Sequence, residues 1–428
     1  MKFQGRLKEL KFLQSKVGKS AFGYVTGRRR VGKSTLLRKL VKKNLGIYYQ
    51  AIEGTAGQQL EDLVNYLKSR LSIFQEIQPK NWLEFFSLLS HCSLPKILVF
   101  DEFPYWIKSD PSLSSQWQRW VDQDLPKQSC LVLVSGSSQN MLYNEFLQAS
   151  SPLYGRAQIH LHLQPLSYRD FCQANRYSIH TLHSFELYSV VGGIPHYWQM
   201  IPRGSLIKRI EALYFEPSGP LAEEPKRILD DEAIEGNLPR AILDLIGRGV
   251  HRPSELASRL GTQQGNLSRP LNLLLEVGLV QKDLPFGESS RSTKRVLYEV
   301  RDPSLSFYYG TFLPHRNLWF SKSNQAKQQL IHEHASKQWE HFCRKNILGA
   351  SRYWESDIEI DLIAPGKSKN SLLVAECKWR RLKKNEEEKI LGTLQEKFQK
   401  TKISKKYSQI QYKVFSQNNA QEIFSKID

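Results

Sequence analysis

Three short apolar runs punctuate the first third of the chain: Ala21–Thr26, Ile97–Phe100 and Leu131–Val134. Each is the length of a strand, and stretches of helical spacing separate them, such as Thr35-Leu36-Leu37-Arg38-Lys39-Leu40. Strands alternating with helices over residues 1–160 predict a parallel α/β sheet. Residues 161–235 read as mostly helical and end in the Pro/Gly-rich stretch Glu216-Pro217-Ser218-Gly219-Pro220. Over 236–312 the pattern predicts three helices and a hairpin. Leu238, Ile242, Leu245 and Ile246 share one helical face, Pro253–Gly261 is a second helix, and Leu267–Val277 is a third. Leu279-Val280 and Val296–Val300 read as strands around a basic loop, Ser289–Arg295. Residues 325–428 return to α/β, with alternation over Ile358–Ala364 and a second strand over Leu372–Trp379. The segments 216–226 and 313–325 are the expected linkers, and no internal repeat is visible.

The chemistry begins where the first strand ends. Gly27-Arg28-Arg29-Arg30-Val31-Gly32-Lys33-Ser34, followed by Thr35, fits the phosphate-binding pattern G-x-x-x-x-G-K-[ST] in its required setting of strand, loop and helix. Glycines let the backbone close around phosphate oxygens, while loop N–H groups and the helix N-terminus supply partial positive charge. Lys33 can reach the β- and γ-phosphates, and the Ser34 hydroxyl can ligate Mg²⁺. The second run ends in Asp101-Glu102. Asp101 would hold the Mg²⁺ through water, and Glu102 is placed to polarise the attacking water. The third run ends in Ser135-Gly136-Ser137-Ser138, where Ser135 or Ser137 could sense the γ-phosphate.

Charge enlarges the picture. The 428 residues hold 61 Lys+Arg against 42 Asp+Glu, a formal net charge of +19. That surplus points to a polyanionic partner, nucleic acid first and an anionic membrane surface second. No amphipathic anchor stands out, so membrane association is not expected. The five cysteines are scattered without a CxxC pair, which predicts buried free thiols rather than disulfides or zinc. The pairs His160/His162 and His332/His334 lack accompanying ligands and are not expected to bind metal. The N-terminus has no apolar signal core, and the apolar runs are far too short to span a bilayer, so a soluble, cytoplasmic protein is expected.

Two further constellations concern nucleic acid. Three helices and a hairpin in the order above make a winged helix, which sets its third helix in a major groove, with Arg269, Arg291, Lys294 and Arg295 on phosphates. Pro270 falls inside that helix and would kink it unless it sits in the first turn. Near the C-terminus, alternation places Glu376 and Lys378 on one face, and Asp361 can face them if the strands pair. Two carboxylates and a lysine around one point can bind Mg²⁺, activate water and stabilise phosphate charge. Glu340 could add a fourth polar group. Lysines and arginines from Lys378 to Lys406 surround this point and would suit a DNA backbone.

Taken in order, the motifs carry a resemblance. Phe3-x-Gly5-Arg6-x-x-Glu9-Leu10, the phosphate loop, Phe-Asp-Glu-Phe-Pro-Tyr, Ser-Gly-Ser-Ser, Leu153-Tyr154-Gly155-Arg156 and Gly192-Gly193-Ile194-Pro195 are similar to the prokaryotic, archaeal-type AAA ATPases, relatives of the origin-recognition and STAND ATPases. The resemblance implies that Arg156 is an arginine finger or γ-phosphate sensor, in cis or in trans. It also implies that Pro195 lies against adenine and that Gly5 and Arg6 lie beside the base. Asp361 with Glu376-x-Lys378 resembles the PD-(D/E)xK nucleases, although Ile360 stands where that motif has proline. The expectation is a P-loop AAA-type ATPase core (1–160), a helical lid (161–235), a winged-helix domain (236–312) and a restriction-endonuclease-like α/β domain (325–428). Such a chain would bind ATP and Mg²⁺, hydrolyse ATP, bind DNA and cleave it at the C-terminal site. A nucleotide switch that recruits DNA or protein without cutting is the alternative, and a homo-oligomer is compatible with either.

Overall fold

The computed structural model describes residues 4–232, 234–289, 293 and 295–426. They pack as two compact units. The first comprises the chain up to Pro165 together with Ile194–His196 and Ile228–Ile234; the second comprises Leu166–Gly193, Tyr197–Arg227 and everything from Glu235 onward. The stretch 161–235 is therefore shared between both units rather than forming a body of its own. Among the described residues no helix is long and apolar enough to cross a membrane.

The first unit is built on a five-stranded sheet of β1 (Ala21–Gly27), β2 (Ile47–Gln50), β3 (Ile97–Asp101), β4 (Leu131–Ser135) and β5 (Ile159–Leu163), in the order β2-β3-β4-β1-β5. Every pairing is parallel. β3 and β4 are buried along their whole length, which is why they read as unbroken apolar runs rather than alternating ones. One core gathers Phe22, Phe86, Phe100, Phe103, Trp106, Trp117 and Trp120. The helix Lys33–Asn44 turns Leu36, Leu37, Leu40 and Val41 inward. Because β4 lies between β1 and β3, the ends of the three apolar runs sit side by side at the carboxyl edge of the sheet, where parallel α/β sheets place their ligands.

In the second unit, the helices Asn237–Gly247, Pro253–Arg259 and Ser268–Glu276 precede an antiparallel pair, β6 (Val280–Asp283) and β7 (Leu297–Val300). Pro270 falls in the first turn of its helix, where a missing N–H costs no intrahelical bond. The helix Asn324–Asn346 leads into a four-stranded sheet of β8 (Ser351–Glu355), β9 (Ile358–Pro365), β10 (Ser371–Lys378) and β11 (Gln409–Ser416), ordered β11-β10-β9-β8. β8, β9 and β10 are antiparallel neighbours, and β11 returns parallel to β10 after the helix Lys384–Gln399. Leu394 and Phe398 of that helix cover Leu372 and Val374. On the long helix, Trp339 packs against Trp379 and donates its indole N–H to the Phe415 carbonyl at 3.0 Å.

The expected linker 313–325 is packed instead. Trp319 is buried, stacks on Phe215 at 3.9 Å, and donates to Glu211, which Lys327 also holds at 2.8 Å. All five cysteines are free and buried.

Candidate functional site

The phosphate loop leaves β1 at Gly27, whose φ of +140° is open only to glycine. A Cβ there would lie 2.7 Å from the Leu163 carbonyl oxygen of β5. Arg30 and Gly32 also have positive φ, at 66° and 103°, so the loop turns back on itself before the helix begins at Lys33. Arg28 and Val31 are buried, Arg29 and Thr35 are exposed, and Ser34 is half-buried. Lys33 is itself buried, and its Nζ donates to the carbonyls of Gly27 at 2.7 Å and Arg28 at 3.2 Å. Burial pushes the Lys33 ammonium below its ordinary range, against the pull of Glu102, Asp101 and Glu232. Arg6 braces the loop from below. Its guanidinium donates to the Val31 carbonyl at 3.0 Å and the Gln164 carbonyl at 2.7 Å, and pairs with Glu9.

Asp101 is fully buried at the end of β3. Its Oδ1 accepts from the Ser135 hydroxyl and from the Glu102 N–H at 3.1 Å, and its Oδ2 accepts from the Tyr48 hydroxyl. Glu102 has a left-handed φ of 57°, an outlier of the kind that persists where surrounding structure enforces it. Its Oε2 accepts from both the N–H and the hydroxyl of Ser137, each at 2.9 Å. Burial raises the Glu102 carboxyl above its ordinary value, which favours a proton acceptor over a fully solvated carboxylate. Both serines singled out in the sequence therefore have a partner, Ser135 on Asp101 and Ser137 on Glu102. This edge holds the groups a magnesium nucleotide needs: loop N–H groups and Lys33 for phosphates, and Ser34 and Asp101 for the cation.

Two acids that no sequence pattern signals also reach this unit. Asp231 pairs with Arg29 of the phosphate loop. Glu232, buried, accepts from the N–H groups of Gln139 at 2.8 Å and Asn140 at 3.1 Å, at the start of the helix Gln139–Leu147. Ninety-three residues separate Glu232 from Gln139, so no local spacing could reveal the contact.

Arg156 is not brought to the phosphate loop. Its guanidinium pairs with Asp122 at 3.0 Å, and it precedes β5, whose far end at Leu163 pairs with Gly27. The strand from Ile159 to Leu163 alone separates the two by roughly 13 Å at 3.3 Å per residue. This geometry is incompatible with a γ-phosphate sensor acting in cis. Pro195 opens the helix Pro195–Gln199, and Ile194–His196 pack with the ATP-loop unit. Gly5 has a left-handed φ of 71° just before Arg6.

The second unit brings Asp361, Glu376 and Lys378 together. The Lys378 Nζ lies 2.8 Å from Glu376 Oε1 and 3.7 Å from Asp361 Oδ2, while Asp361 Oδ2 accepts the Cys377 N–H at 2.8 Å. Glu376 Oε2 is buried without a hydrogen-bond partner. Glu340 joins from the long helix: burial, then the neighbouring Asp361, raise its carboxyl well above the ordinary range. Asp361 is raised too, by burial and by Glu376. Arg344, which the sequence does not single out, donates to the Asp361 main-chain carbonyl at 3.0 Å. The orphaned Glu376 oxygen and the crowded acids fit a divalent cation, although no group of three or more potential ligands is arranged as a cage among the described residues.

Of the expected phosphate contacts near the hairpin, Arg269 is exposed in the first turn of its helix. Arg295 is engaged internally, pairing with Glu288 and donating to the Trp354 carbonyl at 2.8 Å. Arg291 and Lys294 lie outside the described residues. The His160/His162 and His332/His334 pairs form no metal group among the described residues.

Comparison with known proteins agrees with the first unit's geometry. Residues 3–201 match the family described as an ATPase domain predominantly from Archaea, and residues 320–390 match one described as Archaea bacterial proteins of unknown function. An uncharacterized protein of Methanocaldococcus jannaschii is 29% identical over 424 residues, covering 92% of this chain and 91% of its own length. Among solved structures, a Walker-type ATPase of Pyrococcus abyssi aligns at a TM-score of 0.51 and 18% identity, over 71% of this chain and 95% of its own. The Aeropyrum pernix ORC2 protein aligns at a TM-score of 0.42 and 16% identity, over 78% and 95%. Residues 3–201 are therefore similar to ATPase domains found predominantly in Archaea, on a fold shared with a Walker-type ATPase.

Proposed function

We propose that this protein is an ATP-hydrolysing switch that binds DNA and cuts it at the C-terminal acidic cluster. The convergence of Asp361, Glu376, Lys378 and Glu340, with one buried Glu376 oxygen left unpartnered, carries the cutting part of the reading.

In the ATPase half, Lys33 exchanges its two loop carbonyls for the β- and γ-phosphates, and the N–H groups of the loop cradle the remaining oxygens. Ser34 and Asp101 would hold Mg²⁺, which neutralises phosphate charge when bound. Glu102, fixed by Ser137, accepts the proton of the water that attacks the γ-phosphorus, as the bond to the ADP oxygen breaks. Gly5 and Pro195 flank the base. Arg156 serves the site of a neighbouring subunit, since its own loop is out of reach.

In the second half, the helices and hairpin of 237–300 act as a winged helix that docks on duplex phosphates, with Arg269 at the leading edge. Asp361 and Glu376 would hold a divalent cation, which supplies Lewis acidity when bound, and Lys378 stabilises the charge on the scissile phosphate. Lys400, Lys402, Lys405 and Lys406, in the segment after the helix Lys384–Gln399, give the rim its positive charge.

The test is cleavage of circular and linear DNA in Mg²⁺ or Mn²⁺, with and without ATP, wild type beside Asp361→Ala. Cutting that the variant loses supports the nuclease, and its ATP dependence reports coupling. The second reading, a switch that recruits partners without cutting, is favoured by one observation: Lys378 already neutralises Glu376 at 2.8 Å. Absence of cutting under all conditions, with ATP hydrolysis intact, would select it.

A further inference from the structure

β2 carries Tyr48 beside β3, two residues before its carboxyl end, with Tyr48 in register with Val99. The Tyr48 hydroxyl donates to Asp101 Oδ2. The Arg38 guanidinium sits 4.9 Å over the Tyr48 ring centroid, and the Tyr66 hydroxyl donates to the Tyr48 carbonyl at 2.5 Å. The other Asp101 oxygen is already occupied by Ser135 and the Glu102 N–H. Tyr48 is thus the side chain that addresses the second Asp101 oxygen.

The proton count sets the direction of this bond. A phenol has one proton and two lone pairs. Its proton goes to Asp101 Oδ2, which fixes the carboxylate as an acceptor and leaves its remaining lone pairs available to a cation.

We infer that Tyr48 is a positioning residue for the nucleotide's Mg²⁺, its hydroxyl fixing the orientation of Asp101, one of the cation's protein contacts. This rests on the assignment of Ser34 and Asp101 to that cation. It adds a residue from a third element to a site otherwise built from the loop and β3.

The experiment titrates fluorescent mant-ADP binding by the full chain, first in EDTA and then against rising Mg²⁺. Loss of a hydrogen bond to a charged group predicts a Mg²⁺ midpoint raised roughly tenfold or more in Tyr48→Phe, with affinity in EDTA unchanged. Tyr48→His keeps a ring N–H donor and recovers part of the response. An unchanged Mg²⁺ midpoint in Tyr48→Phe overturns the inference. So does a loss of affinity in EDTA accompanied by a lower melting temperature in both variants, which would mark a purely structural residue. If Ser34→Ala and Asp101→Asn also leave the wild-type Mg²⁺ response intact, the assignment of the cation site itself fails, and the inference with it.

Discussion

Two glycines of the phosphate loop separate local strain from steric collision. A methyl group at Gly27 meets the Leu163 carbonyl oxygen at 2.7 Å, Leu163 Cβ at 3.1 Å and Val31 Cγ1 at 3.2 Å, on a backbone with φ of +140°. The first contact is with the main chain of the paired strand, so relief requires prising β5 from β1 at the loop. Backbone strain of about 1–3 kcal/mol and overpacking of a similar size sum to about 4 kcal/mol for Gly27→Ala. Gly32 has φ of +103° but nothing within 4 Å of an added Cβ, which leaves strain alone, about 1–2 kcal/mol. At roughly 2–4 °C per kcal/mol for a domain of this size, Gly27→Ala should lower the melting temperature by about 10 °C and Gly32→Ala by about 4 °C. Calorimetry resolves this when the transition of the ATPase unit is identified as the one that added ATP raises. Nucleotide titration should show weakened binding in both variants, because Gly27 and Gly32 bracket the loop that carries Lys33. A Gly27→Ala protein that melts with the wild type, or that is more stable than Gly32→Ala, would refute the packing argument.

Other expectations follow from the same geometry. Glu102→Gln keeps an acceptor for Ser137 but not a proton acceptor for water, so steady-state ATP hydrolysis should fall about 10²- to 10⁴-fold while ATP affinity stays within severalfold of wild type. Arg156 forms a partly exposed ion pair with Asp122 and a local bond to the Tyr154 carbonyl, so Arg156→Ala should leave the melting temperature almost unmoved yet depress hydrolysis. Mixing it with Lys33→Ala restores activity if the arginine serves a neighbouring subunit; no recovery at any mixing ratio would count against that role. His334 is fully buried, lies 2.7 Å from the Ser189 carbonyl, and has its imidazole pushed down to about 4 from 6.5 by burial. The folded state therefore binds fewer protons than the unfolded chain between these values. Its contribution is present above pH 6.5 and is lost as pH falls toward 4, at a cost of about 3 kcal/mol. Thermal melts between pH 7 and 5 should show this slope, flattened in His334→Gln. If the basic surface serves DNA, affinity should drop steeply between low and physiological salt; salt-independent binding would argue for a protein partner.

The local signals were strong where backbone and side chain act within a few residues. The phosphate loop was legible because its function demands glycine at positive φ, a helix start and a lysine at fixed spacing. Strands β3 and β4 were legible because burial on both faces leaves no polar interruption. Alternation correctly paired Glu376 with Lys378, since residues two apart on a strand share a face. The region 313–325 misled because its polar and proline-bearing sequence hides one anchor, Trp319, whose partners Phe215 and Glu211 are a hundred residues away. The internal partners of Arg295, Glu288 and the Trp354 carbonyl, carry no local sequence signal either.

The sequence by itself determined the phosphate-loop pattern at Gly27–Ser34 and the acid pair Asp101-Glu102 at a strand end, because each is a run of consecutive residues whose chemistry depends on its own spacing. Strand order was a tertiary decision. By seating β4 between β1 and β3, the fold joins Ser135 to Asp101 and Ser137 to Glu102. The same assembly delivers Tyr48 and Glu232 to the unit and carries Arg156 away from its own loop. Such contacts span tens of residues or more, and only the packing of apolar surfaces that share no local period brings them within a hydrogen bond of one another.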